Sequence, residues 1–312
     1  MKEHVTVFAP ATVSNVGPGF DLLGFALEAP GDVLEIRRNQ SGKLTLINES
    51  GCSLPLDPGS NVSAVAVKAL LSETGEKEGY DIIFREKIHP GSGIGSSAAG
   101  CVSAVYAINI LLGSPFRTEE LLPFALEGEA SSSGSRHADN VAPALLGGFT
   151  LIKGYDPLDI NHIPYPDDLC CAVAHPSLEI RTAESRKLIP AEVPMSTALA
   201  QAGNLAGLIA GLATSDYGLI GRSVCDHFAE PYRTGQIPGF DELKEAVLKS
   251  GATAFGLSGS GPSVFALTKG QEAAAEACRV MKVHFEAKGL SCKVYNSKIS
   301  REGVREISDM HR

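Results

Sequence analysis

No lysine falls between Lys87 and Lys153, and no long basic run occurs anywhere in the chain. With a formal net charge of −9 over 312 residues, that argues against a nucleic-acid partner and leaves room only for a local cationic pocket. The seven cysteines (52, 101, 170, 171, 225, 278 and 292) are odd in number and form no C-x-x-C pair. A disulfide framework and a zinc knuckle are therefore not expected, and reduced thiols of a cytoplasmic protein are. The opening Met-Lys-Glu-His-Val has no apolar stretch of signal-peptide length. Long apolar runs are missing too. Ile88 to Phe116 carries no formal charge, yet its apolar part after Ser97 falls short of the roughly 20 residues a span requires. It is diluted by Gly100, Ser103 and Asn109, so a helix buried on all sides is expected and no membrane partner.

Two common phosphate signatures are also absent. There is no Gly-x-x-x-x-Gly-Lys-Ser/Thr pattern, since Gly95 is followed by Ser96, and Gly91, Gly93 and Gly95 do not fit a Gly-x-Gly-x-x-Gly spacing. What stands in their place is Pro90, Gly91, Ser92, Gly93, Ile94, Gly95, Ser96, Ser97, Ala98, Ala99 and Gly100, leading into the Ala-rich run. Glycines let the backbone approach a ligand and take positive φ, so that successive amides converge. A helix start adds the positive end of its dipole. The segment reads as a phosphate cradle of amides and hydroxyls, with no lysine expected to help.

The length suits two domains, and 44% hydrophobic with 20% charged residues fits a globular chain. The pattern predicts strands over 5–9, 33–38, 43–48 and 80–86, with 33–38 and 43–48 paired around Ser41-Gly42. Helices are predicted over 61–73, 97–112 and 118–130, the last capped by Thr118. A polar segment from Ser131 to Pro143 follows, and the Pro-rich stretch 154–168 reads as a domain connection. An α+β second half is expected, with helices over 197–228, 241–249 and 271–287 and a tight Ser258-Gly-Ser-Gly-Pro262 loop.

Three ordered motifs now stand together: Pro10-Ala-Thr-Val-Ser-Asn-Val-Gly-Pro-Gly-Phe-Asp21, the loop from Pro90 to Ala99, and Gly256-Leu-Ser-Gly-Ser-Gly-Pro-Ser263. Over nearly the whole chain this arrangement resembles the GHMP kinases. His137-Ala-Asp-Asn-Val-Ala-Pro143, Glu230-Pro-Tyr-Arg233 and Ile237-Pro-Gly239 resemble the homoserine kinase branch.

The resemblance implies a two-domain α+β GHMP kinase fold. Residues 1–160 would be an ATP-binding domain similar to domain 2 of ribosomal protein S5, and 161–312 a ferredoxin-like domain. It implies transfer of the γ-phosphoryl group of Mg-ATP to the hydroxyl of L-homoserine on the route to threonine, by a homodimer. Ser96, Ser97 and the amides around Gly93 and Gly95 would hold the phosphates, and Asn61 would meet the adenine. Ser97 and Glu129, with Glu127 as competitor, would hold Mg²⁺, which keeps several waters and takes few protein oxygens. Asn15 and Asp21 would take the substrate ammonium. Arg186 and Arg233 would offer guanidinium forks to its carboxylate.

His137, Asp139 and Asn140 would face the hydroxyl. Asp139 is the formal base candidate, but loose phosphoryl transfer does not require a base, and the expectation is that Asn140 orients the hydroxyl while its proton leaves late, to the phosphate. Gly259, Ser260 and Gly261 would close a second cradle or steady the first. His162, His175, His227 and His284 read as structural. The alternatives are another kinase of the family, such as one acting on mevalonate, or a non-catalytic nucleotide sensor.

Overall fold

The computed structural model describes residues 2–134, 136–180 and 182–308. Its first part runs β1 (His4–Ser14), β2 (Leu23–Asn39), β3 (Leu44–Asn48), α1 (Val62–Thr74), β4 (Gly79–Glu86), α2 (Ser96–Leu111), α3 (Leu122–Ser133), α4 (Ala138–Leu146), β5 (Phe149–Tyr155) and β6 (Leu158–Ile163). These strands form one sheet in the order β11-β1-β2-β4-β3, with β5 and β6 continuing from β2; β11 (Arg305–Glu306) is the returning chain end, paired to β1. Helix α2 is buried nearly all round, as its uncharged sequence requires, with Ala98, Ala99, Val102, Val105 and Ile108 inaccessible to solvent.

Four local predictions are corrected. The strand predicted over 33–38 is longer and runs over residues 23–39, because a register shift between Pro10 and Thr12 lets β2 follow β1 along its whole length. β3 pairs with β4, in parallel, rather than with β2, since β4 already occupies that edge of β2. The helix expected from Thr118 begins at Leu122, after a 3-10 turn in which Glu120 accepts the Arg117 amide at 2.8 Å. Pro123 has no N–H to continue a ladder back through that turn. The stretch 154–168 is largely a hairpin, with Pro157 in its turn and Ile160 and Ile163 packed on the core.

The second part holds β7 (Leu169–Pro176), α5 (Thr182–Lys187), α6 (Met195–Thr214), α7 (Tyr217–Ser223), α8 (Glu230–Arg233), α9 (Phe240–Lys249), β8 (Ala254–Leu257), β9 (Val264–Lys269), α10 (Gln271–Ala287) and β10 (Cys292–Lys298). Its antiparallel sheet has the order β10-β7-β9-β8. Phe240, Leu243 and Val247 of α9 and Ala277, Met281 and Phe285 of α10 recur at helical spacing and bury one face of it. The two sheets touch where Ser297 Oγ accepts the amides of Glu28 and Ala29 at 2.9 and 3.2 Å. No helix among the described residues is long and apolar enough to cross a membrane. All seven cysteines are free thiols.

Candidate active site

A cleft of about 370 Å³ collects all three motifs. One end is made by the N-terminus of α2. Gly91, Gly93 and Gly95 all have positive φ, at 75°, 79° and 72°, a conformation costly for any residue with a Cβ. At Gly95 a Cβ would also overlap Thr12 Oγ1. No side chain caps α2, whose first internal bond is Ala99 N–H to Gly95 O at 2.9 Å. By contrast α1 is capped by Asn61, which accepts from the Ser63 and Ala64 amides, and the Ala138 amide of α4 donates to Tyr155 Oη at 3.3 Å. An uncapped helix start lined by left-handed glycines is what a bound anion would complete.

One lysine from outside the loop does stand beside it. Lys87, directly ahead of it, lines the cleft and is buried, paired with Asp32 at 2.5 Å. Its ammonium also donates to Ser96 O and, at 3.0 Å, to Ser96 Oγ. Burial pushes the Asp32 carboxyl up from its ordinary value, opposed by Lys87 and the Ile88 amide. Lys87 lies just outside the lysine-free stretch 88–152, and the fold brings its charge in from the preceding strand end.

The other predicted loop residues divide. Pro90, Gly91, Gly93, Gly95, Ser96 and Ser97 line the cleft, while Ser92, Ile94, Ala98, Ala99 and Gly100 do not. Ser96 turns its hydroxyl inward, donating to Ile88 O at 2.7 Å. The third motif braces the loop through Ser258, whose hydroxyl donates to Gly93 O at 2.7 Å, and Ser263, which donates to Ser92 O at 2.5 Å. Neither serine was singled out from the sequence. Asn61 lines the cleft beside Leu54, Pro55 and Val62. Its Nδ2 donates to Pro55 O at 2.8 Å while its oxygen is spent on the α1 cap.

Ser97 and Glu129 are brought together by a side-chain hydrogen bond. Burial pushes the Glu129 carboxyl up, against the pull of Ser97 and His137. Glu127, the competitor, is paired on the surface with Arg136 at 2.6 Å and does not line the cleft. Among the described residues no cluster of three or more His, Cys, Asp or Glu side chains is arranged for a metal.

At the far end α4 approaches β2 so closely that a Cβ on Gly24 would overlap the Asp139 carbonyl. This seats His137, Asp139 and Asn140 in the cleft wall. Thr12 Oγ1 donates to Asn140 Oδ1 at 2.8 Å, and Asn140 Nδ2 donates to Ser14 Oγ at 2.9 Å, so both ends of that amide are held by β1. Asp139 is 2% exposed, and its Oδ1 has no hydrogen-bond partner among the described residues. Burial, with the Asp21 charge adding to it, pushes this carboxyl up to about 7.

Asn15, Asp21, Arg186 and Arg233 converge from places far apart in the chain. Asn15 accepts the Asp21 amide at 3.0 Å and donates to Gly259 O at 3.1 Å, tying the first motif to the third. Asp21, at φ 58°, pairs with Arg186 at 2.6 Å. Arg233 is 3% exposed and donates to Gly259 O at 3.0 Å. Burial lowers its affinity for its proton, and the nearby Arg186 charge adds to that. Of the histidines read as structural, His175 is pushed down to about 4 by burial and sits 3.3 Å from Ser263 Oγ, outside the cleft lining.

Known proteins bear on this arrangement directly. Residues 61–148 match the family model for the GHMP kinases N terminal domain, and 208–287 that for the GHMP kinases C terminal. The homoserine kinase of Chlorobium phaeobacteroides is 42% identical over 97% of this chain and 99% of its own. The chain belongs to the GHMP kinase family. Within it, the homoserine kinase of Pyrococcus abyssi is 35% identical over 96% of this chain and 98% of its own. The crystal structure of homoserine kinase from Cytophaga hutchinsonii superposes with a TM-score of 0.94 at 45% identity, covering 98% of both chains. The L. major mevalonate kinase structure, 15% identical with a TM-score of 0.74 over 94% of each chain, shares the fold alone.

Proposed function

We propose that this GHMP kinase phosphorylates the side-chain hydroxyl of L-homoserine from ATP, giving O-phosphohomoserine for threonine synthesis. The observation that carries this reading is one cleft with an uncapped, glycine-lined helix start at one end and Asp21, Arg186 and Arg233 at the other. The first suits a polyphosphate. The second suits a small zwitterion, a carboxylate on the arginine forks and an ammonium on Asp21.

The amides at the start of α2 hold the phosphates, and Lys87 lends its positive charge from behind Ser96. Magnesium fits the pair Ser97 and Glu129, a buried carboxylate with a hydroxyl on it beside the phosphate loop. When bound it supplies neutralisation of polyphosphate charge, with most of its shell left to water and phosphate. Asp139 takes the hydroxyl proton, a role suited to a carboxyl near neutrality. The hydroxyl oxygen bonds to the γ-phosphorus as the bond to the bridging oxygen breaks and ADP leaves. Asn140 keeps the β1 hydroxyls and α4 in register, so the catalytic gain is mainly alignment and charge stabilisation. The uncharged helix α6, with Met195 and Leu199 exposed, supports a homodimer whose state sedimentation would read.

The test is phosphorus NMR of the product formed from ATP, magnesium and homoserine, with mevalonate and galactose in parallel. A phosphomonoester on homoserine alone is expected. Phosphorylation of mevalonate instead, or ATP binding without turnover, would overturn the assignment.

A further inference from the structure

Both arginines of the substrate end rest on one aromatic ring. The guanidinium carbon of Arg186 lies 4.8 Å from the centroid of the Phe20 ring, and that of Arg233 lies 5.6 Å from it. Both distances fall within the roughly 6 Å over which a ring face attracts a cation. The two arginines arrive from separate elements, α5 and α8, and like charges brought into one pocket repel. Among the described residues Arg186 has a carboxylate partner, Asp21 at 2.6 Å, and Arg233 has none. Arg233 has a backbone carbonyl, Gly259 O, and a buried Nε with no partner.

The ring is presented by a tight turn. The amides of Leu22 and Leu23 both donate to Gly19 O, at 2.8 and 2.9 Å, and a Cβ on Gly19 would press on Asn15 O at 2.8 Å. Phe20 and Asp21 thus leave the same turn side by side, one offering a π face and the other a carboxylate. The buried phenylalanines, such as Phe25 and Phe149, pack into the apolar cores. Phe20 is half-buried and, like Phe8 and Phe228, belongs to neither core, but it is the one that lies against both arginines.

We propose that Phe20 is a positioning residue that holds Arg186 and Arg233 as one fork for the substrate carboxylate. The inference rests on the homoserine reading and assigns the ring a job within it. When the substrate ammonium takes over Asp21, Arg186 loses its ion-pair partner, and the ring keeps the guanidinium in the pocket. A leucine there would fill space without attracting either cation.

The test compares native protein with Phe20→Leu, Phe20→Met and Phe20→Tyr, using homoserine and 3-aminopropan-1-ol, which keeps the hydroxyl and ammonium but lacks the carboxylate. Phe20→Leu and Phe20→Met are expected to raise the KM for homoserine about tenfold. The inhibition constant of 3-aminopropan-1-ol and the KM for ATP should stay within about twofold, and Phe20→Tyr, which keeps the π face, should behave as native. Equal weakening of both ligands, a parallel rise in the ATP KM, or no change for homoserine would each overturn the proposal. Native turnover of homoserine reports on the function itself. The contrast between the two ligands reports on the ring, so the two failures are distinguishable.

Discussion

The two ends of the cleft are built from different materials. At the end proposed for the phosphates the lining comes chiefly from one contiguous stretch, Pro90 to Ser97, whose backbone is bent by three left-handed glycines and braced by the Ser258 and Ser263 hydroxyls. At the substrate end the groups are side chains delivered from four places: the first motif, α4, α5 and α8. Backbone amides grip any phosphate chain, and a shared cradle can serve many acceptors. Discrimination among acceptors therefore falls to the side-chain end, and mutations at the two ends should separate in their kinetics.

The sharpest separation is expected at Asp139. Asp139→Asn should lower kcat by about 10²–10⁴ while leaving the ATP KM unchanged, the range for a lost general base. A kcat within tenfold of native would show that no base is used and would return the orienting role to Asn140. Stability should move the opposite way. Because the folded carboxyl is raised to about 7, its contribution is fully present below the unfolded value near 3.9 and is lost as pH rises through about 7. Native protein should therefore lose stability across that window relative to Asp139→Asn, which should be the more stable at pH 8 and not at pH 3.

Lys87 complicates the contrast, because it is a side chain serving the backbone end. Removing one member of a buried ion pair leaves the other charge stranded, at a cost of about 3–5 kcal/mol. Lys87→Met should destabilise the protein by that order in urea melts. Replacing Asp32 by Leu as well should restore most of the stability, since a well-packed apolar pair is often neutral. ATP affinity should stay reduced in the double variant, and full recovery of it would mean that the lysine is only a structural plug.

The glycines test whether the cradle is built to tolerance. Gly95→Ala combines a positive φ with overlap on Thr12, so kcat/KM for ATP should fall about a hundredfold. Gly91→Ala has the same kind of φ but meets nothing closer than Glu179 Cγ at 4.0 Å. It should lose about tenfold, the cost of backbone strain alone. Similar losses at both positions would remove the argument for close approach.

How much of this was legible in the chain follows from the same contrast. A contiguous Gly/Ser loop before an uncharged Ala-rich run announces its backbone role and its buried helix locally. The pairing of Ser97 with Glu129 was reached through the family likeness and fits the geometry. At the substrate end Asp21, Arg186 and Arg233 are separated by long stretches of sequence, and no spacing rule joins them. Nothing in the local sequence joins Phe20 to the two arginines or Lys87 to Asp32. The hairpin at 149–163 was hidden because Pro157 looks like a linker residue until its turn is seen.

Gln201 offers the gentlest probe of the substrate end. It sits on α6, 3% exposed, in a stretch of sequence with no charge. Its Nε2 donates to Pro18 O at 2.9 Å and to Asp226 Oδ1 at 3.0 Å, and its Oε1 accepts the His227 amide at 2.7 Å. Asp226 in turn accepts the amides of Phe228 and Glu230, at 2.7 and 2.8 Å, at the entry to the short helix that ends in Arg233. One amide therefore links the turn that carries Phe20 and Asp21 to the helix that carries Arg233. Gln201→Met keeps the volume and leaves the Pro18 carbonyl and Asp226 short of a donor, a loss of about 1–3 kcal/mol spread over stability and binding. The KM for homoserine should rise about fivefold and that for ATP should not move. A matching rise in both constants would mean that α6 supports the whole cleft, and the division between its two ends would lose its footing.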